Sequence, residues 1–311
     1  MRVKRPALGT LMALVSALLF GLNASTSKLV MDQGISAGQV VMFRSFVTAF
    51  IAGIIILFAN RPAFRVAKKE WLGLISFGII GISLMQWSYS NAVHRLPVGI
   101  SLLIEYTAIV MVPIASWILF KQRIKKRLWL GVVLVMAGLL VVSQIWLGGL
   151  NPEGVAFAFL TAILVTVFFI MGEHLQRSRD TMSTLFFTML ISGCFWIFAT
   201  DWWTFDVSSL ADSVSLGGSL NSDMVPLWLL LAWLGVMGTF LPMLLSYRSL
   251  VHLSPTGAGI TSTAEIVFAF IFGWLWLQQE IDGLQMVGGL LVILGIVIAQ
   301  TSRTVSRNEV H

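Results

Sequence analysis

Apolar runs of about 20 residues recur along the chain, separated by short polar breaks. Each run has about the length a helix needs to cross a ~30 Å hydrocarbon core. Ten are read, the first five at about 8–30, 38–59, 71–93, 97–119 and 127–147. The second five lie at about 153–172, 181–200, 226–249, 254–277 and 282–301. Pro97 and Pro255 stand where spans 4 and 9 begin, and there the missing N–H costs nothing. The pattern predicts an all-α, polytopic membrane protein with ten transmembrane helices.

Composition agrees. Hydrophobic residues make up 57% of the 311 and charged residues 11%, against about 25% charged in a soluble domain. For a membrane chain the placement of charge says more than the net +6, so no nucleic-acid partner is inferred. Seventeen of the 20 Lys and Arg fall in the N-terminal tail, in the loops after spans 2, 4, 6 and 8, or in the C-terminal tail. The loop at about 201–225 faces the other way and holds Asp201, Asp206, Asp212 and Asp223 without a single Lys or Arg. The positive-inside rule then puts both termini in the cytoplasm of a multi-pass protein of the cell (inner) membrane. The basic, then apolar N-terminus has the form of a secretory leader, but the repeat described next makes it the first span. Cys194 is the one cysteine, so no intrachain disulfide forms.

"SYSNAVHRLPVG" (Ser88–Gly99) and "SYRSLVHLSPTG" (Ser246–Gly257) share six of twelve positions. At an offset of 157, Ile109–Ser143 aligns with Ile266–Gln300 with ten identities in 35 positions, among them Gly131/Gly288 and Gly138/Gly295. Upstream, "GIIG" at Gly78 matches "GVMG" at Gly235. Two five-span units follow, residues 1–147 and 152–301, with 302–311 as a cytoplasmic tail. Five is odd, so the second unit enters the membrane inverted. Inverted repeats recur in secondary transporters, with the substrate site near the midplane between them. Channels and some lipid enzymes also contain them.

The segment "STAEIVFAFIFGWLWLQQEIDGLQMVGGLLVILGIVIAQ" (Ser262–Gln300) resembles the C-terminal half of an EamA domain, and "IEYTAIVMVPIASWILFKQRI" (Ile104–Ile124) is similar to the matching piece of a first such domain. The resemblance covers nearly the whole chain. It implies the drug/metabolite transporter superfamily: two EamA units, ten helices, a central cavity and alternating access. Members of that superfamily carry amino acids, nucleotide sugars, drugs, sugar phosphates or quaternary amines. Ile266 stands where the family often has Pro, and Gln279 where it has the Gly of a Gly-Glu turn.

A charge at the bilayer centre costs about 2.5–3.5 kcal/mol on insertion scales, so each one needs a reason. Glu105 and Glu265 lie mid-span in the repeat-related spans 4 and 9. Each is read as a proton-coupling site or a counter-ion for an amine, or else as a structural tie between helices. Ser101 shares a face with Glu105, and Thr261 with Glu265. Arg44 either binds an anionic substrate group or neutralises a glutamate. Lys28 either snorkels to the interface or meets substrate, and Asn23 faces the cavity. Gln86, Tyr89 and Ser90 form one face of span 3. Tyr89, Tyr106 and Tyr247 could pack against an apolar or cationic substrate, although most aromatics in such a chain serve packing or the interfacial belt. Glu173 and His174 are weak candidates at the end of span 6. In the repeated turns His94 with Arg95, and Arg248 with His252, are gate candidates; the plainer reading is a helix hairpin at the headgroups.

No HExxH, Gly-x-Ser-x-Gly or P-loop pattern occurs. The expectation is a non-enzymatic secondary transporter without cofactor or metal, an exporter of small metabolites such as amino acids or related amphiphiles. An intramembrane enzyme or flippase for lipid-linked substrates is the alternative. Homodimerisation is left open.

Overall fold

The computed structural model describes residues 6–111, 126–143, 150–176, 179–249, 252 and 261–301. They are helical apart from short connections and one small hairpin. In order come α1 (Pro6–Asp32), α2 (Ala37–Ala59), α3 (Trp71–Ser76), a π-helical stretch Phe77–Leu84, α4 (Met85–Arg95), α5 (Val98–Glu105) and α6 (Lys126–Ser143). Then follow α7 (Pro152–Gln176), α8 (Thr181–Ala199), α9 (Leu227–Gly235), a second π-helical stretch Val236–Phe240, α10 (Leu241–Ser249), α11 (Ala264–Leu275) and α12 (Gly283–Thr301). Five stretches are long and apolar enough to cross a membrane: Pro6–Asp32, Ala37–Ala59, Lys68–Arg95, Thr181–Ala199 and Leu227–Ser246. Five shorter apolar helices accompany them.

Helix starts follow local chemistry. Ser36 caps α2 through a capping box with Gln39. Asp180 accepts from the Ser183 amide at the head of α8, and Asn151 Oδ1 accepts from Gly154 at the head of α7 (3.1 Å). Pro97 precedes α5 as expected, while Pro255 lies outside the described residues.

Three features depart from the hydropathy reading. Spans 3 and 8 each contain a π-helical stretch, which widens the helix and strands a carbonyl. A hydroxyl satisfies each one: Ser83 Oγ donates to Gly78 O (3.0 Å) and Thr239 Oγ1 to Leu234 O (3.0 Å), both five residues back. Span 4 is broken after Glu105, where Tyr106 and Thr107 form a turn and Thr107 Oγ1 donates to Ile104 O at 2.7 Å. Span 9 has a turn at Thr263, the position 157 residues on. The third feature is a two-stranded antiparallel hairpin, β1 (Ser213–Ser215) with β2 (Met224–Pro226), inside what read as a plain loop. Gly217 and Gly218 turn it with φ of 70° and 50°, and Trp276 Nε1 donates to Leu216 O (2.9 Å) to dock it.

Buried side chains form one large cluster across α1, α4, α5, α6, α7, α11 and α12, centred on residues such as Leu96, Ile100, Leu103 and Ile266. A second joins α2, α3, α7, α8 and α10. Helices α6 and α12 approach closely. A Cβ on Gly138 would stand 2.7 Å from Gly288 O, and one on Gly288 2.8 Å from Gly138 O. Gly295 approaches Gly131 O in the same way (2.8 Å). Glycine is needed here because backbone meets backbone. The outward faces of the pair, including Leu130, Val133, Met136, Leu290 and Leu294, are exposed and apolar.

Candidate functional site

The broken spans put polar groups at the centre of the bundle. Glu105 closes α5 and Glu265 sits in the first turn of α11. Tyr106, in the turn after Glu105, brings its hydroxyl 2.9 Å from Ser262 O and 2.5 Å from Glu265 Oε2. Tyr106, Glu105 and Glu265 are each half-buried. On α4, buried Tyr89 lies near enough to Asn23, Arg44 and both glutamates to interact with them electrostatically. Asn23 is 2% exposed and accepts a long bond from Ser27 Oγ (3.5 Å).

Arg44 on α2 is 4% exposed. Its Nε donates to Thr239 Oγ1 (2.8 Å) and its Nη2 to Gly238 O (3.3 Å), both on the second π-helical stretch. Among the described residues no carboxylate lies within ion-pair distance of it; the pairs that form are Arg95–Glu153 and Arg179–Glu70, with His94 in contact with Asp32. Several buried atoms near this centre have no protein partner: Arg44 Nη1, Gln86 Oε1, Ser90 Oγ, Ser101 Oγ and Glu105 Oε2. Buried polar atoms are almost always satisfied, so these atoms on α2, α4 and α5 are the candidates for contacts from outside the protein.

Other candidates lie away from it. Lys28 directs its amine to the carbonyls of Val93 (3.1 Å), His94 (2.8 Å) and Leu96 (3.4 Å), capping the C-terminus of α4. His94 Nδ1 is 3.3 Å from Asp32 Oδ1. Arg95 bonds Glu153 (3.1 Å) and Asn91 Oδ1 (2.8 Å) and lies over the Phe157 ring. These residues and Gln279, whose Oε1 accepts from the Val98 amide (3.0 Å), sew together the end of the bundle that carries the hairpin. At the other end Arg179 joins Glu70 (2.9 Å) and the carbonyls of Ala63 and Arg65. Thr261 is half-buried, Arg248 is exposed and His252 sits in a turn. The side chains of Tyr247, Glu173 and His174 lie outside the described residues.

Sequence reasoning missed Thr239, Ser83, Ser45, Thr48 and Ser192. Ser45 and Ser83 both meet Ser192 on α8 (3.1 and 2.8 Å), and Thr48 donates to Gly235 O (3.2 Å). A signal existed: each Gly-x-x-Gly of the repeat is followed within two residues by a hydroxyl, Ser83 or Thr239. The ends were half-legible, since Asp32 and Glu153 flank helices but nothing in the sequence pairs them with His94 and Arg95.

The sequence pattern of the EamA-like transporter family matches twice, over residues 7–144 and 152–301. Protein PecM of Dickeya dadantii is 23% identical over 271 residues, spanning 86% of each chain. The pseudopaline exporter CntI of Pseudomonas aeruginosa is 22% identical over 302 residues, covering 95% of this chain and 97% of its own. A crystal structure superposes with a TM-score of 0.63 at 16% identity, over 95% of this chain and 97% of the other, a likeness of fold.

Proposed function

Because this chain belongs to the EamA-like transporter family, whose members are transporters and not enzymes, we propose that it is a proton-coupled secondary exporter of small metabolites, amino acids or related amphiphiles. The observation that carries the reading is the contact of Tyr106 with two oxygens. A phenol has one proton to give, yet its oxygen lies close to both Ser262 O and Glu265 Oε2. Both contacts are full two-centre hydrogen bonds at once when Glu265 brings a proton of its own. Tyr106 then donates to Ser262 O and accepts from Glu265. On losing that proton, Glu265 draws the phenol hydrogen to itself and Ser262 O is released. Protonation is thereby tied to how α11 is held against α5, as coupling requires. Glu105 lies close enough to Glu265 for the two carboxyl groups to interact electrostatically. Among the described residues, Tyr89 on α4 and Arg44 on α2 belong to the same charged and titratable surroundings.

Alternating access rests on ten spans in two inverted units, 1–147 and 152–301, followed by the tail 302–311. The double family match supports that division. So does the α6–α12 contact. Gly138 meets Gly288, and Gly295 meets Gly131; exchanging each residue for its counterpart 157 positions away turns one contact into the other. This is the self-complementary pattern of a two-fold axis. Both termini are placed in the cytoplasm by the basic loops, which makes the hairpin end external. Lys28, His94 and Arg95 then close the outer side, and Arg248 with His252 lie at the inner one.

The test is reconstitution in liposomes with an imposed pH gradient, following release of an amino-acid pool by mass spectrometry. Glu265→Gln and Glu105→Gln should each abolish the gradient dependence of flux. An unchanged pH dependence in both variants would remove the coupling role. Turnover of a lipid-linked substrate with no solute movement would establish the enzyme or flippase reading instead.

A further inference from the structure

We infer that the central site takes a small zwitterion, with Arg44 receiving the carboxylate and Glu105 the ammonium. This rests on the transport reading above and adds which end of the substrate meets which residue.

The argument begins with Arg44. A buried guanidinium without a counter-charge is costly, and its partners here are neutral oxygens of Thr239 and Gly238. If its purpose were to neutralise Glu105 or Glu265, an ion pair would form; the described residues hold none. One nitrogen, Nη1, is buried and unspent. The cation therefore has a free position for an anion supplied from outside the protein. Guanidinium with a neighbouring amide and phenol, Asn23 and Tyr89, suits a carboxylate.

The opposite pole is Glu105. Glu265 is engaged by Tyr106, but Glu105 Oε2 is buried without a partner. Glu105 also closes α5, where the chain turns at Tyr106. The C-terminal end of a helix draws positive charge, so the helix and the carboxylate favour the same ligand, an ammonium. Buried Tyr89 interacts with both poles, with Arg44 and with the two glutamates. Gln86 Oε1, Ser90 Oγ and Ser101 Oγ flank it, also unpartnered. A simple anion would satisfy only Arg44, and a simple cation only Glu105. One molecule carrying both charges satisfies both.

The test compares three pools: the twenty common amino acids, their carboxamides, which lack the carboxylate, and their N-acetyl derivatives, which lack the ammonium. Each is offered to the wild-type protein in detergent for thermal stabilisation, and loaded into proteoliposomes for efflux with tetraphenylphosphonium as a cation control. The amino-acid pool should stabilise and move, with both derivatised pools at least about tenfold weaker, the loss expected for a charged hydrogen bond. In Arg44→Gln the preference for acid over amide should vanish; in Glu105→Gln the preference for free amine over N-acetyl should vanish. Because Arg44→Gln also loosens the π-helical stretch, the wild-type comparison decides alone if that variant fails to fold. Equal efflux of parents and derivatives, or movement of tetraphenylphosphonium only, overturns the zwitterion and leaves transport standing. No movement and no stabilisation by any pool overturns both readings.

Discussion

Single residues decide whether a charge in this bundle is structural or free. Lys28 and Arg44 look alike in sequence, each a lone cation in an apolar run, yet their partners differ in kind. Lys28 gives its three protons to the carbonyls that end α4. Lys28→Met should therefore cost about 1–2 kcal/mol of stability, read as a lower unfolding midpoint in detergent, with substrate preference unchanged. Arg44 keeps a nitrogen unspent, and its loss should alter preference. The glutamates also differ, Glu265 being held by Tyr106 and Glu105 Oε2 having no partner; because the two carboxyl groups interact, the Gln variant at either position should remove the response of flux to a pH gradient.

At the scale of elements, the breaks matter more than the helices. The π-helical stretches and the turns after Glu105 and at Thr263 place backbone carbonyls where they need side-chain partners, as irregular backbone at membrane depth does. Thr239 serves twice, donating to Leu234 O and accepting from Arg44. Thr239→Val keeps the shape and removes both bonds, and should destabilise by about 2 kcal/mol or more. Ser83→Ala is the control in the other half and should cost about 1 kcal/mol, both from thermal unfolding. The α6–α12 pair depends on bare backbone contact, so Gly288→Leu must separate the helices at a cost of about 1–3 kcal/mol. Gly283, with open space around it, is the comparison site that should tolerate substitution with little loss.

For the whole molecule, the prediction concerns orientation. In a Cys194→Ser background, a single cysteine introduced at Ser209, in the segment just ahead of the hairpin, should react with an impermeant maleimide from outside intact cells. One at Lys69 should react only after permeabilisation. The reverse pattern would invert the topology and with it the assignment of outer and inner closures. At the hairpin end the His94–Asp32 contact and the Arg95–Glu153 ion pair tie α1, α4 and α7 together. They are exposed enough to contribute little individually.

The sequence by itself determined the apolar spans, the charge asymmetry of the loops, the repeat and the two glutamates. These are local or periodic signals, set by what hydrocarbon and water tolerate along one segment. It also offered Arg44, Asn23, Gln86, Tyr89 and Tyr106 as candidates, because a polar residue in an apolar run is conspicuous. Only the tertiary structure decided their partners. Arg44 meets Thr239, 195 residues away, and Tyr106 reaches Glu265 across 159. It also revealed the helix breaks, because π-helical stretches and the Tyr106 turn leave hydropathy unchanged. A hydropathy pattern records which groups avoid lipid; which hydrogen bonds they form, and which they leave open for a ligand, depends on helices that the chain brings together only when packed.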